Sequence, residues 1–156
     1  MRNRGFTLVE LVITVAIVGL LATAAFPLAE IASRRAKEQD LRLALREIRG
    51  ALDAYKTAYD QGRIAQEVGQ TGYPPDLETL VNGIEDAKNP EAATIYFLRR
   101  LPRDPFYPDA TAAPANTWGL RSYESPPEDP QPGEDVFDVY SLSRDTGLNG
   151  VPYRDW

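Results

Sequence analysis

Arg4-Gly5-Phe6-Thr7-Leu8-Val9-Glu10 runs directly into LVITVAIVGLLATAAFPLA (11–29), nineteen residues without a charge. As a helix this run spans about 28 Å at ~1.5 Å per residue, close to the ~30 Å hydrocarbon core of a bilayer. Its apolar character is interrupted by Thr14, Thr23 and Pro27 alone. A threonine hydroxyl can bond back to the preceding turn, so it sits cheaply there. Pro27 withdraws the amide that would have bonded the Thr23 carbonyl, which predicts a kink or local melting. Membrane helices tolerate such a break when neighbours satisfy the freed carbonyl.

Three readings compete for this stretch. A secretory signal would use Arg2 and Arg4 as its basic region and Ala22-Thr23-Ala24 as its cleavage site, but Glu10 stands where the apolar core should begin. A plain membrane anchor leaves Glu10 unexplained, since a carboxylate at the centre of the apolar zone costs about 2.5–3.5 kcal/mol. If the chain is cut after Gly5, the new amine on Phe6 lies at the depth of Glu10. The two charges can then neutralise each other, within one chain or between neighbouring helices.

Those residues resemble the type IV prepilin signature, shared by pilins and by type II secretion pseudopilins. The resemblance implies that a prepilin peptidase cleaves between Gly5 and Phe6 and methylates the Phe6 amine. It also implies that Glu10 contacts that amine during filament assembly and that Pro27 is the family's helix-kinking proline. Arg2 and Arg4 before the span are nearly balanced by Arg34, Arg35 and Lys37 after it, so charge alone leaves orientation open. The acidic C-terminal part and the resemblance favour a single pass through a bacterial inner membrane, N-terminus cytoplasmic and head periplasmic.

The whole chain, 156 residues, suits one domain with an extra element attached. It has no cysteine and no histidine, which excludes disulfides, thiolate chemistry, Cys/His zinc sites and His-dependent triads. A net charge of −6 argues against general binding to nucleic-acid phosphates. The charge is divided: residues 1–60 carry a net +2 and residues 61–156 a net −8, and 12 of the 13 prolines follow residue 60. An apolar, then basic, helix-compatible segment thus precedes an acidic, turn-rich one.

Beyond residue 29 the pattern becomes amphipathic. Leu41, Leu45, Ile48, Leu52, Tyr55 and Tyr59 recur at spacings of three and four, the stripe of a helix with one buried face. Arg42, Arg46, Glu47, Arg49, Asp53 and Lys56 stand opposite, as a solvated face or one turned to neighbouring subunits. Asp60-Gln61-Gly62 supplies a stop; a helix unbroken from 8 to 60 would be ~80 Å long. In the remainder, Pro74-Pro75-Asp76 introduces a short helix ending near Asn82-Gly83, and 93–101 is apolar but of ambiguous type. Segments 117–124 and 135–143 read as strands joined by a proline-rich loop. In the second, Val136, Asp138, Tyr140 and Leu142 alternate with Phe137, Val139, Ser141 and Ser143.

Gly72-Tyr73-Pro74-Pro75-Asp76-Leu77, Leu101-Pro102-Arg103-Asp104-Pro105-Phe106, Trp118-Gly119, Ser122-Tyr123-Glu124-Ser125-Pro126 and Asp138-Val139-Tyr140-Ser141-Leu142 follow in order. Together they resemble the head of the major pseudopilins, the general secretion pathway protein G family. The match separates this group from ordinary type IV pilins, whose C-terminal loop is usually closed by a disulfide that this chain cannot make. The resemblance also implies calcium in the loop after the last strand, and here the Leu142 carbonyl with Asp145, Asn149 and Asp155 would offer oxygen ligands. That loop is short and carries Arg144, so a glycine turn with Asp145 and Asn149 bonding local amides competes with the metal. Asp104, Asp109, Glu124 and Asp138 contain no spacing that demands a hydrolytic pair, and Trp118, Tyr123, Phe137, Tyr140 and Trp156 read as core and cover.

The expected fold is therefore α+β and pilin-like: a leader (1–5), a membrane and filament-core helix (6–30), its amphipathic continuation (31–61) and a head with a small antiparallel sheet (62–156). The expected role is structural, not enzymatic: a homopolymer that drives export of folded proteins. By resemblance its partners are the prepilin peptidase, minor pseudopilins and an inner-membrane secretion platform; nucleic acid is not among them. A pilin-like subunit for adhesion, motility or DNA uptake is the alternative, and a non-polymerising membrane-anchored binding module the second.

Overall fold

The structure, a computed structural model, describes residues 5–67, 69–89 and 93–156, without the side chains of 24–26. The leader residues Met1, Arg2, Asn3 and Arg4 lie outside the described residues, as does the side chain of Ala24. Helix α1 covers Leu8–Asp60, 53 residues. It runs through Pro27 without interruption, so the predicted local melting does not occur. A proline deletes one intrahelical bond, and the apolar turns on either side still propagate. The hydroxyls behave as expected: Thr14 donates to the carbonyls of Glu10 and Leu11 at 2.9 Å, and Thr23 to that of Leu20 at 2.7 Å.

The chain divides into two compact units, Met1–Lys37 and Glu38–Trp156. In the first, the apolar side chains from Leu8 to Leu21 are exposed, as are Leu28 and Ile31. Among the described residues of that unit, nothing covers them.

The second unit is built on the C-terminal part of α1. Leu41 and Ile48 are 0% exposed, and Leu45, Leu52 and Tyr55 are nearly as deep. Removing each Leu or Ile side chain from water is worth about 1.5–3 kcal/mol, so the stripe is the main anchor of this core. Ala44, Ala51 and Ala58 are also buried and let the rest approach the helix. The stripe packs in one cluster with Leu77, Leu80, Leu98, Trp118, Val136, Val139 and Tyr153.

The remaining elements are short. Helix α2 is Thr79–Asn82, and the Asp76 carboxylate accepts the Thr79 amide and hydroxyl at 2.7 Å each. Strands β1 (Ile84–Glu85) and β2 (Thr94–Ile95) pair antiparallel, with Ile84 opposite Ile95. The ambiguous stretch 93–101 thus begins as an edge strand. Strands β3 (Trp118–Arg121) and β4 (Asp138–Ser141) form a second antiparallel pair, Trp118 opposite Ser141 and Leu120 opposite Val139. Both are shorter than the predicted segments, but the proline-rich loop joins them as expected. Gly119 faces Tyr140, where an added Cβ would stand 2.3 Å from the ring; the pairing needs glycine.

Alternation along β4 places Ser141, 0% exposed, inside and Leu142, 45% exposed, outside. The reason is a buried polar pair: the Ser141 hydroxyl donates to Asp104 at 2.5 Å. Val136 lies before the strand and is buried with Val139, so the strict two-residue alternation does not extend to it.

Candidate functional site

The segment around the predicted cleavage point is built by Thr7 and Glu10. Residues 5–7 precede the helix, and Phe6 is 85% exposed. The Thr7 amide and hydroxyl donate to Glu10 Oε2 at 2.9 and 2.8 Å, while the Glu10 amide donates to Thr7 Oγ1 at 3.2 Å. This is a reciprocal capping box, which satisfies two of the orphan amides at a helix start. The Gly5–Phe6 bond therefore sits in exposed chain immediately before a fixed helix start. An added Cβ at Gly5 would meet nothing within 4 Å, so no contact among the described residues shields that bond.

Both bonds from Thr7 end on Oε2; Oε1 accepts none among the described residues. It is open to a cation such as the amine that cleavage would create on Phe6. The capping box was legible as Thr-x-x-Glu before an apolar run, although sequence reasoning gave Glu10 only the amine.

The helix behind this box holds an 18-residue window of mean hydropathy 2.4 that is wholly unburied, long and apolar enough to cross a membrane. Residues 1–26 match the family model of the prokaryotic N-terminal methylation motif. That motif is the mark of type IV pilin-like and pseudopilin chains, which are structural proteins. Prepilin processing and filament polymerisation go with the motif, and the apolar helix is consistent with a membrane anchor. No curated protein and no solved structure matches the chain.

The residues named for calcium lie apart from the methylation motif, in the loop after β4. There the Gly147 amide donates to the Val151 carbonyl at 2.8 Å and the Tyr153 amide to that of Asp145 at 3.1 Å. Asn149 Oδ1 accepts the Val151 amide at 3.1 Å. Asn149 and Asp155 line one cavity, but Arg42, Arg46 and Arg49 line it too, and their charge opposes a cation. Leu142 and Asp145 do not line that cavity. Among the described residues no group of three or more His, Cys, Asp or Glu side chains is arranged to hold a metal. The contacts present in this loop are those of a hydrogen-bonded glycine turn.

Sequence reasoning missed the residue that holds this loop. Glu38, 4% exposed, accepts the Leu148 amide at 2.7 Å and the Tyr153 hydroxyl at 2.9 Å through Oε1. Its place three residues before Leu41 continues the buried stripe, which was the available signal. Arg49 departs from expectation too. Rather than facing solvent or a neighbour, it donates to Asp138 at 2.7 Å and to the carbonyls of Val139 and Trp156 at 3.1 and 2.9 Å, clamping α1 to β4.

Three of the four acids weighed as a hydrolytic pair have separate partners. Asp104 is buried with Ser141 and accepts the Phe106 amide at 2.8 Å. Asp109 is held below the usual carboxylate range by the Thr111 hydroxyl and then the Thr111 amide. Asp138 pairs with Arg49, and with Arg121 at 3.5 Å, while Glu124 is exposed. Of the aromatics, Trp118 is core and donates its indole N–H to the Pro102 carbonyl at 2.9 Å, Phe137, Tyr140 and Trp156 are half-buried, and Tyr123 is 57% exposed.

Proposed function

We propose that this chain is a structural subunit of a type II secretion pseudopilus. The observation that carries the reading is an uncovered, uncharged helix placed directly behind a capped Glu10 in a methylation motif. Peptidase removes residues 1–5 and methylates the Phe6 amine. Residues 6–30 reside in the inner membrane before assembly and in the filament core after it, and 31–61 continue the helix into a periplasmic head, 62–156. As helices leave lipid for one another, their apolar side chains exchange hydrocarbon for protein and gain by packing alone. A Glu10 carboxylate on one helix meets a Phe6 amine on its neighbour, which fixes register because either charge buried alone is strongly unfavourable. The cysteine-free head and the ordered blocks from Gly72 to Leu142 support the secretion branch over ordinary pili.

The mass of the N-terminal peptide from membrane-extracted protein tests the first half. A peptide beginning at Phe6 with one added methyl is expected; one beginning at Met1 or near Ala25 overturns the reading. Deleting the gene tests the second half. Loss of exported enzymes is expected, whereas loss of long surface fibres with secretion intact assigns the chain to a type IV pilus.

A further inference from the structure

Within the second unit, α1 carries a groove on each side of its buried stripe. At ~100° per residue, Gly50 and Ala54 fall on one flank and Arg49 on the other. The Gly50 flank is a groove of about 690 Å³ whose lining includes Arg46, Glu47, Gly50, Phe97, Arg99 and Arg100. At Gly50 the helix wall is bare: an added Cβ there would touch nothing within 4 Å. Arg99 and Arg100 are exposed and form no ion pair among the described residues. The groove thus combines a small-residue floor, one half-buried aromatic and a surplus of positive charge.

The opposite charge lies on the other flank. Residues 122–137 contain no lysine or arginine, and Glu124, Glu128, Asp129 and Glu134 are exposed. This acidic loop is already shaped. The Ser122 amide donates to the Gln131 carbonyl at 3.0 Å, the Gln131 amide to Ser125 Oγ at 2.7 Å, and the Ser125 hydroxyl to the Asp129 carbonyl at 3.1 Å. Four prolines stiffen it further. Little ordering entropy remains to be lost when it binds. Pro127, Glu128 and Pro130 line a cavity with Arg49, Arg121 and Arg154, which puts the loop on the Arg49 flank; Glu128 faces those arginines, while Glu124, Asp129 and Glu134 line no part of that cavity.

We infer that the acidic loop of one copy docks in the basic groove of the next. The inference rests on the polymer reading and supplies its contact between heads. The two surfaces lie on opposite flanks of one helix, so neither satisfies the other within a chain, while a second copy satisfies both. A contact between two different patches of the same molecule is heterologous, and when its rotation does not close it propagates as an open helical array. The repeated charge pairing also steers encounter and penalises a reversed neighbour.

Charge reversal in the full-length chain, expressed with its peptidase, tests this. Arg99→Glu with Arg100→Glu, or Glu124→Lys with Glu128→Lys, is expected to lower sedimentable polymer by roughly tenfold or more. A chain carrying all four changes is expected to recover to within about twofold of the unaltered protein, since loop and groove are again opposite. Equal melting temperatures across the variants exclude misfolding as the cause. Because the chain lacks cysteine, Arg100→Cys with Glu128→Cys provides a second readout: a ladder of disulfide-linked oligomers, absent from either single variant. Polymer unaffected by either reversal, or no ladder from a chain that does polymerise, overturns this contact and leaves the polymer reading standing. An unaltered, processed chain that never sediments overturns both.

Discussion

At Glu10 the capping box and the proposed amine pairing fall on one carboxylate. Oε2 closes the capping box with Thr7, a neutral acceptor's task that glutamine performs equally well. Pairing with an amine needs the charge. Glu10→Gln is therefore expected to leave membrane insertion and the Gly5–Phe6 cut intact while polymer yield collapses, a split visible by peptide mass and sedimentation on one sample. Asp86 offers a test of the head. The Arg63 guanidinium donates to Asp86 Oδ2 at 2.6 and 2.9 Å, and this, ahead of the Lys88 amide, holds the carboxyl below its ordinary value. A depressed folded value means the pair adds stability above the unfolded value of ~3.9 and loses it as pH falls through the folded one. Asp86→Asn is expected to lower Tm at neutral pH, with the gap to the unaltered protein closing as pH drops below about 4. The exposed side of Arg63 keeps the effect small.

For whole elements, the buried stripe of α1 was readable because a period of three and four is imposed by one neighbour along the entire helix. The clamps across it were not. Glu38 follows Arg34, Arg35 and Lys37 and reads as one more solvated charge, since its partners lie 110 and 115 residues away. Ser141 carries no sign of burial in the sequence because its partner Asp104 is 37 residues distant. Pairwise long-range polar contacts leave no period. The methylation motif was legible for the opposite reason, being entirely local. The Leu148 amide and the Tyr153 hydroxyl both donate to Oε1, an oxygen that glutamine retains. Glu38→Ala is expected to cost about 2–3 kcal/mol by removing these two buried hydrogen bonds, and Glu38→Gln clearly less. Urea melts of the detergent-solubilised chain measure both.

Taken whole, the molecule joins a unit with its own core to one whose apolar side chains are uncovered. Deleting residues 1–29 is expected to give a head that stays in the supernatant, forms no polymer and keeps the full chain's Tm. The loop after β4 is held by Glu38 and by its own turn, beside arginines. Adding calcium or a chelator is therefore expected to leave that Tm unchanged; a rise with calcium would place the ion there after all. The Glu38–Tyr153 bond, joining residues 115 apart, also bears on biosynthesis. Contacts so distant in sequence form slowly and late. The core around α1 stays open until the ribosome has delivered Leu148 and Tyr153, so translation stalled before that point leaves an unfolded nascent chain for proteases to clear.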